Sequence, residues 1–342
     1  MNTKHQIAIL GGGITGLMRA FMLSKAGHKI SLYDPKGFPA QNASWLAGGM
    51  LAPYSEIEHM DENWIEASLN SIDLWEGFKF NTGFSRKGSL IISHQEDRHA
   101  MERFRSILPN EYKSFVTPQN YESGIPEKFK SALYLASEAH VEPRLVMCSL
   151  VNEITGTVQY IQEQKDVHDL DGFDFILDCR GMGSGDKELR GVKGEILIVR
   201  NPEFSLQRPV RIMHPRYPLY VVPRPDHVFM IGATIIESDE SSAVSLRSTM
   251  ELSSALYSLH PSFGDAEIIE MSAGIRPSYA DNLPQIKVQK NVIQINGLFR
   301  HGFLLAPILA QSLCDYIVGE KHPYWSLWNG RKNDKIDDQR AA

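Results

Sequence analysis

Apolar positions change period twice within the first 35 residues. Ile7 to Leu10 is a short, wholly apolar run, as a parallel strand covered on both faces requires. Leu17, Met18, Phe21 and Met22 then recur at helical spacing, and Gly27 marks a stop. Ile30 to Tyr33 reads as a second strand, ending on Asp34. Between the first strand and the helix stands Gly11-Gly12-Gly13-Ile14-Thr15-Gly16, which fits G-x-G-x-x-G at Gly11, Gly13 and Gly16. Strand, glycines, helix, strand and acid in that order predict a dinucleotide-binding unit. Gly11 allows the tight turn, Gly13 lets the backbone approach a pyrophosphate, and Gly16 lets the helix pack on the strand. The helix N-terminus offers N–H groups and partial positive charge to phosphates. Asp34 is placed to accept hydrogen bonds from an adenosine ribose. The alternative is a glycine-rich turn with no ligand.

Further along, Asp61 to Lys79 predicts a helix carrying Trp64, Ala67, Ile72, Leu74, Trp75 and Phe78. Gly88–Ser93 and Leu133–Ala136 read as strands, with a polar helix-forming stretch from Gln95 to Leu108 between them. Arg144 to Asn152 predicts a helix after His140-Val141-Glu142-Pro143. Gly172 to Gly181 is a buried strand running into a glycine turn, like a later strand of the first sheet. From Gly194 the texture changes. Glu195–Arg200, Leu219–Arg224 and His227–Ala233 read as strands joined by Pro- and Asp-containing turns, an antiparallel meander. Ser245 to Ser258 predicts an amphipathic helix, and Ile268 to Ile275 a strand leading into Arg276-Pro277. Val292–Asn296, Gly297 and the apolar helix Leu304–Val318 repeat the opening order of strand, glycine and helix.

The predicted fold class is α/β. A Rossmann-like domain takes residues 1–80, 140–190 and 270–330. A discontinuous second domain, α+β and built on an antiparallel sheet, takes 81–139 and 191–269, and 331–342 reads as a flexible tail. A chain of 342 residues is long enough for two cores. Its net charge of −6 argues against a nucleic acid or an anionic membrane as the main partner. Cys148, Cys179 and Cys314 are scattered in apolar surroundings, which suggests reduced core thiols and a cytoplasmic setting. No cysteine pair has metal-ligand spacing, so no metal is expected. No basic segment with an apolar run precedes the first strand and no apolar stretch reaches ~18 residues, so neither secretion nor a membrane span is expected. The sequon Asn42-Ala43-Ser44 is a chance match in that setting. In the stretch from Asn42 to Pro53, Gly48 and Gly49 stand among small and apolar residues. A snug loop and a loop lying along a flat ligand fit that pattern equally.

Seven segments occur in order: Gly11 to Gly16, Ala43-Ser44 with Ala47-Gly48-Gly49-Met50-Leu51-Ala52-Pro53, His140 to Pro143, Val192 to Glu195, Tyr220 to Arg224, Gly274 to Pro277, and Phe299 to Pro307. Together they resemble the D-amino-acid-oxidase-like flavoproteins, and within them the glycine oxidases of thiamine biosynthesis, over about nine-tenths of the chain. The resemblance implies non-covalent FAD in a cleft between an FAD-binding and a substrate-binding domain. Ile14, Thr15, Asp34, Pro35, Ala43 and Ser44 would hold the adenosine diphosphate half, together with the glycines of the turn. Gly48, Gly49 and Met50 would lie along the isoalloxazine, and Gly181 would line the cofactor. Leu298, Phe299, Arg300, His301, Gly302, Phe303 and Leu304 would close over its pyrimidine end, where a helix N-terminus stabilises negative charge. The family's one backbone contact to adenine from the middle segment maps to Val167.

The resemblance also assigns Arg276 to the substrate carboxylate, because a guanidinium fork pairs both oxygens at once. A surface arginine ahead of a turn is the competing reading. Tyr220 matches the family's active-site tyrosine and Arg300 an arginine at the pocket edge, with Met50 beside the reacting atoms. Read without the resemblance, Tyr220 also fits a strand aromatic in the core. Pro218 stands where glycine oxidases can carry a histidine, which bears on substrate range. The implied reaction oxidises a small amino acid with oxygen, giving an imine, ammonia and hydrogen peroxide. No residue stands out as a strong base. Hand-off of iminoglycine to a thiazole-forming enzyme is a further implied partnership, and a homo-oligomer is left open. The rival readings are an oxidase of N-methylated or bulkier D-amino acids, a tRNA-modifying oxidase, which the acidic balance disfavours, and a nucleotide-binding protein without catalysis.

Overall fold

The computed structural model describes residues 3–38, 42–214 and 219–329. In chain order, β1 (Gln6–Leu10), α1 (Ile14–Lys25) and β2 (Lys29–Tyr33) come first, then β3 (Met50–Leu51) and α2 (Ile65–Gly77). Next are β4 (Ser89–Ser93), α3 (Arg98–Ile107), β5 (Phe115–Val116), β6 (Ala132–Leu135), β7 (Ala139–His140) and α4 (Pro143–Ile154). β8 (Val158–Ile161) and β9 (Phe175–Asp178) precede β10 (Arg190–Arg200), β11 (Val210–Met213), β12 (Leu219–Pro223), β13 (Val228–Gly232) and β14 (Ile236–Glu237). α5 (Leu246–Leu259), β15 (Glu267–Ser278), β16 (Gln285–Gln289), β17 (Val292–Asn296), α6 (Gly302–Ile317) and α7 (Trp325–Asn329) follow.

The first sheet has the order β16-β17-β9-β1-β2-β8. All its pairs are parallel except β16 on β17 at the edge. β1 lies in the interior of the sheet with helices packed on it, which is why Ile7, Ala8 and Ile9 are apolar without alternation. α1 packs against α6 and α4, and Leu17, Leu23, Leu305 and Leu309 are fully buried in that core. The two strand–glycine–helix runs seen in the sequence, at opposite ends of the chain, therefore meet in one layer.

The second sheet runs β14-β10-β13-β12-β11-β4-β6-β5, with β15 also on β10. Its strands alternate with period two. Leu219 and Val221 of β12 point into a core capped by α5, while Tyr220 and Val222 point the other way, toward Leu46 and Met50 of the first domain. That second face forms one wall of the site.

Two expectations are corrected. The division at residue 270 falls inside β15, which stays in the second sheet from Glu267 to Ser278 in an antiparallel ladder with β10. Pro277 is accommodated because β15 is an edge strand, paired among the described residues only with β10. The meander of β10, β13, β12 and β11 is antiparallel, but the sheet it belongs to is not wholly so: β11 pairs β4 in parallel, so residues 89–135 extend the same sheet. The tail after 329 and Pro218 lie outside the described residues. Among the described residues no helix is long and apolar enough to cross a membrane.

Candidate active site

A cleft of about 600 Å³ runs between the two sheets, from the glycine turn to Arg276. At one end the chain leaves β1 through Gly11, whose φ of +104° excludes an ordinary side chain. A Cβ on Gly16 would stand 1.9 Å from the Gly11 carbonyl oxygen, so the turn closes only with glycine there. The Gly12 N–H donates to Asp34 Oδ2 at 2.7 Å, which ties the end of β2 to the turn. Ser44 Oγ accepts from the Ile14 N–H at 3.1 Å, at the start of α1. Thr15, Pro35, Ala43 and Ser44 line this end of the cleft with Gly11, Gly12, Gly13 and Ile14. Val167 does not line it. It begins a short 3-10 turn, its N–H donates to Asp166 Oδ1 at 2.7 Å, and its side chain packs beside Ala8 and Leu170. Glu163, Gln164 and Lys165 of the same segment line the cleft instead.

In the middle, Gly49 has φ +72°, and a Cβ there would meet the Val141 carbonyl oxygen at 2.3 Å. Met50 and Leu51 pair with His140 and Ala139, and the Val141 N–H donates to Gly49 O at 2.9 Å. Arg224 donates to the Gly48 carbonyl at 2.7 Å and reaches Glu142 at 3.4 Å. Three sequence motifs far apart in the chain thus hold one loop, Gly48 to Met50, along the cleft wall.

At the far end, Arg276 extends from β15 across Gly194 of β10, where a Cβ would lie 2.1–2.5 Å from the guanidinium. Its Nη1 donates to Thr234 O at 3.2 Å. Among the described residues no carboxylate stands within ion-pair distance of it. Burial, then repulsion from Arg300, bring Arg276 down to about 10, with Glu56 opposing, so it remains a cation at neutral pH. The Tyr220 hydroxyl donates to Glu56 Oε1 at 2.5 Å and contacts Ser55 O at 3.2 Å. Burial holds this phenol protonated well above its ordinary range. Arg300 Nη2 pairs with the same Glu56 Oε1 at 3.0 Å. Arg211 pairs with Glu58 at 2.8 Å and donates to Ser55 O. Burial alone would raise Glu56, but Arg300, Arg211 and the Tyr220 hydrogen bond outweigh it and keep Glu56 below the usual carboxylate range.

Leu298 to Leu304 wrap the last side of this end, with Phe299 at φ +46° and its N–H donating to Pro277 O at 3.0 Å. The N-terminus of α6, at Gly302, opens onto the cleft. His301 is buried, and burial pulls it down to about 4, so it is neutral. Gly181, at φ +61°, lines the cleft, with its carbonyl held by Asn296 Nδ2 at 2.9 Å. Glu56 is the site residue that sequence reasoning missed. It follows the Gly48–Pro53 loop inside a polar stretch, and its partner Tyr220 lies 164 residues away. A glycine cradle at a helix N-terminus, an acid beside it, a flat loop wall and a second helix N-terminus fit a dinucleotide flavin.

This fold and site define an oxidoreductase working through a dinucleotide cofactor. The chain belongs to the FAD-dependent oxidoreductase (DAO) family, whose sequence profile matches residues 6–316, and FAD is the family's cofactor. A candidate thiamine biosynthesis oxidoreductase ThiO of Rhizobium etli is 36% identical over 324 residues, covering 92% of this chain and 97% of that protein. A bifunctional ThiO/ThiG protein of Trichormus variabilis is 26% identical over 93% of this chain, which spans 53% of that longer protein. The crystal structure of a glycine oxidase from Geobacillus kaustophilus superposes with a TM-score of 0.82, covering 98% of this chain and 100% of that one. At 21% identity that likeness is one of fold.

Proposed function

We propose that the protein oxidises glycine, or an amino acid of comparable size, to its imine and serves thiazole formation in thiamine biosynthesis. The observation that carries this is Arg276: a cationic guanidinium, without a protein counter-ion among the described residues, at the far end of a flavin-type cleft. A carboxylate is the ligand that such a fork pairs with best. The names of the relatives, thiamine biosynthesis oxidoreductase and glycine oxidase, support the substrate and the pathway.

Gly194 leaves the room in which the Arg276 guanidinium lies, so the substrate carboxylate is drawn to that end. Tyr220, its proton directed to Glu56, gives the carboxylate a fixed aromatic neighbour. The α-carbon then faces the Gly48–Met50 side of the cleft, a positioning effect. Held by the Gly11–Thr15 turn, Ser44 and the Gly48–Met50 wall, FAD would supply a hydride acceptor, with oxygen as the final oxidant and hydrogen peroxide as its product. Glu56 is a poor base, because Tyr220 and Arg300 both hold one of its oxygens and keep it ionised. The substrate amine therefore loses its proton to solvent. The imine either hydrolyses to glyoxylate and ammonia or passes to a thiazole-forming enzyme, a hand-off supported by the existence of a fused ThiO/ThiG relative. A cytoplasmic setting goes with this reading and suits the free thiols of Cys148, Cys179 and Cys314.

The test is the visible spectrum of the purified holoenzyme before and after anaerobic glycine, with sarcosine and D-alanine as further substrates. Bleaching of the flavin band by glycine is expected. A flavin left oxidised by all three would overturn the reading, and bleaching by sarcosine or D-alanine alone would move the substrate to that class.

A further inference from the structure

The charges around the far end of the cleft can be paired off one by one. Arg211 is matched by Glu58 at 2.8 Å and Arg300 by Glu56 at 3.0 Å. Lys193, also on the cleft wall, is matched by Glu195 at 2.7 Å. Arg276 is left without a carboxylate within ion-pair distance among the described residues, which suits it to a single substrate carboxylate. Arg300 is only partly engaged. Its Nη1 is buried and has no hydrogen-bond partner, while Nη2 takes Glu56. Its guanidinium stands over the ring of Tyr220 with its centre 5.8 Å from the ring centroid, and Arg300, Tyr220, Glu56 and Arg276 all line the same cleft.

We propose that Glu56 is a specificity-determining residue: by neutralising Arg300 it restricts the site to substrates with one anionic group and masks a second anion subsite. The proposal rests on the reading of the site as an amino-acid oxidase. A substrate with a second carboxylate would bring that charge toward Glu56 in a partly desolvated cleft, where like charges repel strongly. Replacing Glu56 by glutamine removes the repulsion and leaves the Arg300 fork with a buried donor to satisfy. Glutamine keeps an oxygen that can accept from the Tyr220 hydroxyl, so the shape of the pocket is retained.

The experiment compares holoenzymes of wild type, E56Q and E56D with ligand pairs that differ only in the second carboxylate. Perturbation of the flavin absorption spectrum gives dissociation constants for acetate and malonate. Turnover gives kcat/KM for D-alanine against D-aspartate and for sarcosine against iminodiacetate. In E56Q the preference should move toward the dianion by about tenfold or more in both measurements, whereas E56D, which keeps the charge, should stay near wild type. Adding Arg300→Gln to E56Q should abolish the gain. An E56Q enzyme that keeps its flavin and its wild-type preference would overturn the proposal, as would a gain that survives Arg300→Gln. If E56Q loses FAD, Glu56→Ser carries the same comparison. Should wild type oxidise none of the amino acids, the oxidase reading fails. The acetate and malonate titration still decides the role of Glu56.

Discussion

The Arg276 guanidinium lies where it does only because its neighbour is a glycine. A Cβ on Gly194 would lie 2.1–2.5 Å from the guanidinium, and the end of an arginine is the part that can move away. Gly194→Ala should therefore displace Arg276 without disturbing the fold. Steady-state kinetics should show KM for glycine rising about tenfold or more, with melting temperature and FAD content near wild type. An unchanged KM would mean that the guanidinium's resting place is not the one used in binding. Arg276→Ala goes further, removing a charge-assisted pair and costing roughly 3–5 kcal/mol in kcat/KM. Arg276→Lys should fall between, since it keeps the charge and loses the fork. Both should retain FAD. Arg276, which lines the cleft, was picked out in the sequence by the Gly274-to-Pro277 segment of the resemblance. Glu56 was not, because a through-space pairing over 164 residues leaves no local pattern. Val167 stands off the cleft, its N–H taken by the neighbouring Asp166 carboxylate, and spacing alone does not reveal that.

Two glycines of the β1–α1 turn serve different ends, and substitution separates them. Around Gly16 the obstacle is backbone, the Gly11 carbonyl, which cannot step aside. Around Gly13 the nearest atom is Ser44 Oγ at 3.2 Å, which can shift a little. Gly13→Val should leave a folded protein that no longer retains FAD, and Gly16→Val should lose both fold and flavin. Circular dichroism and flavin absorbance distinguish the two, and a Gly13→Val protein with full flavin would refute the phosphate assignment. The turn between β6 and β7 carries a separate dependence on pH. Glu138 accepts from the Tyr54 and Ser55 N–H groups and from Ser55 Oγ, beneath the loop that presents Glu56. Burial pushes it up to about 7 from an ordinary 4.5, so the folded protein holds this proton more tightly than the unfolded chain. The stability it contributes is complete below pH 4.5, falls as pH rises toward 7 and is gone above that, about 3 kcal/mol in all. Thermal unfolding from pH 5 to 8 should show a flatter decline between 5 and 7 in Glu138→Gln than in wild type. An equal decline would mean that Glu138 is not the group responsible. The strand–glycine–helix units at both ends of the chain were readable because each carries its own local period. The parallel pairing of β4 with β11 was not, since those strands lie over a hundred residues apart and neither marks the other.

For the whole molecule, the cleft predicts a flavin held without a covalent bond. Of the described cleft-lining side chains, Cys179 lies beside Gly11 at the glycine-turn end with its thiol pushed up to about 12 by burial, and His301, at the other end, has its Nε2 turned toward the His59 carbonyl at 3.4 Å, which occupies that nitrogen. Acid precipitation should leave intact FAD in the supernatant, and yellow colour in the pellet would point to His301. The sheet order β16-β17-β9-β1-β2-β8 also has a consequence for biogenesis. The glycine turn is made well before its partners, since β9 beside it and the α6 that packs on α1 follow some 165 and 290 residues later. Throughout that interval the nascent turn has its phosphate groups' seat but neither its second wall nor its closing helix. Cofactor capture therefore waits until α6 has been made. A cell short of flavin would accumulate chains that hold α6 but keep an empty cleft, with the faces that FAD normally covers open to quality-control proteases.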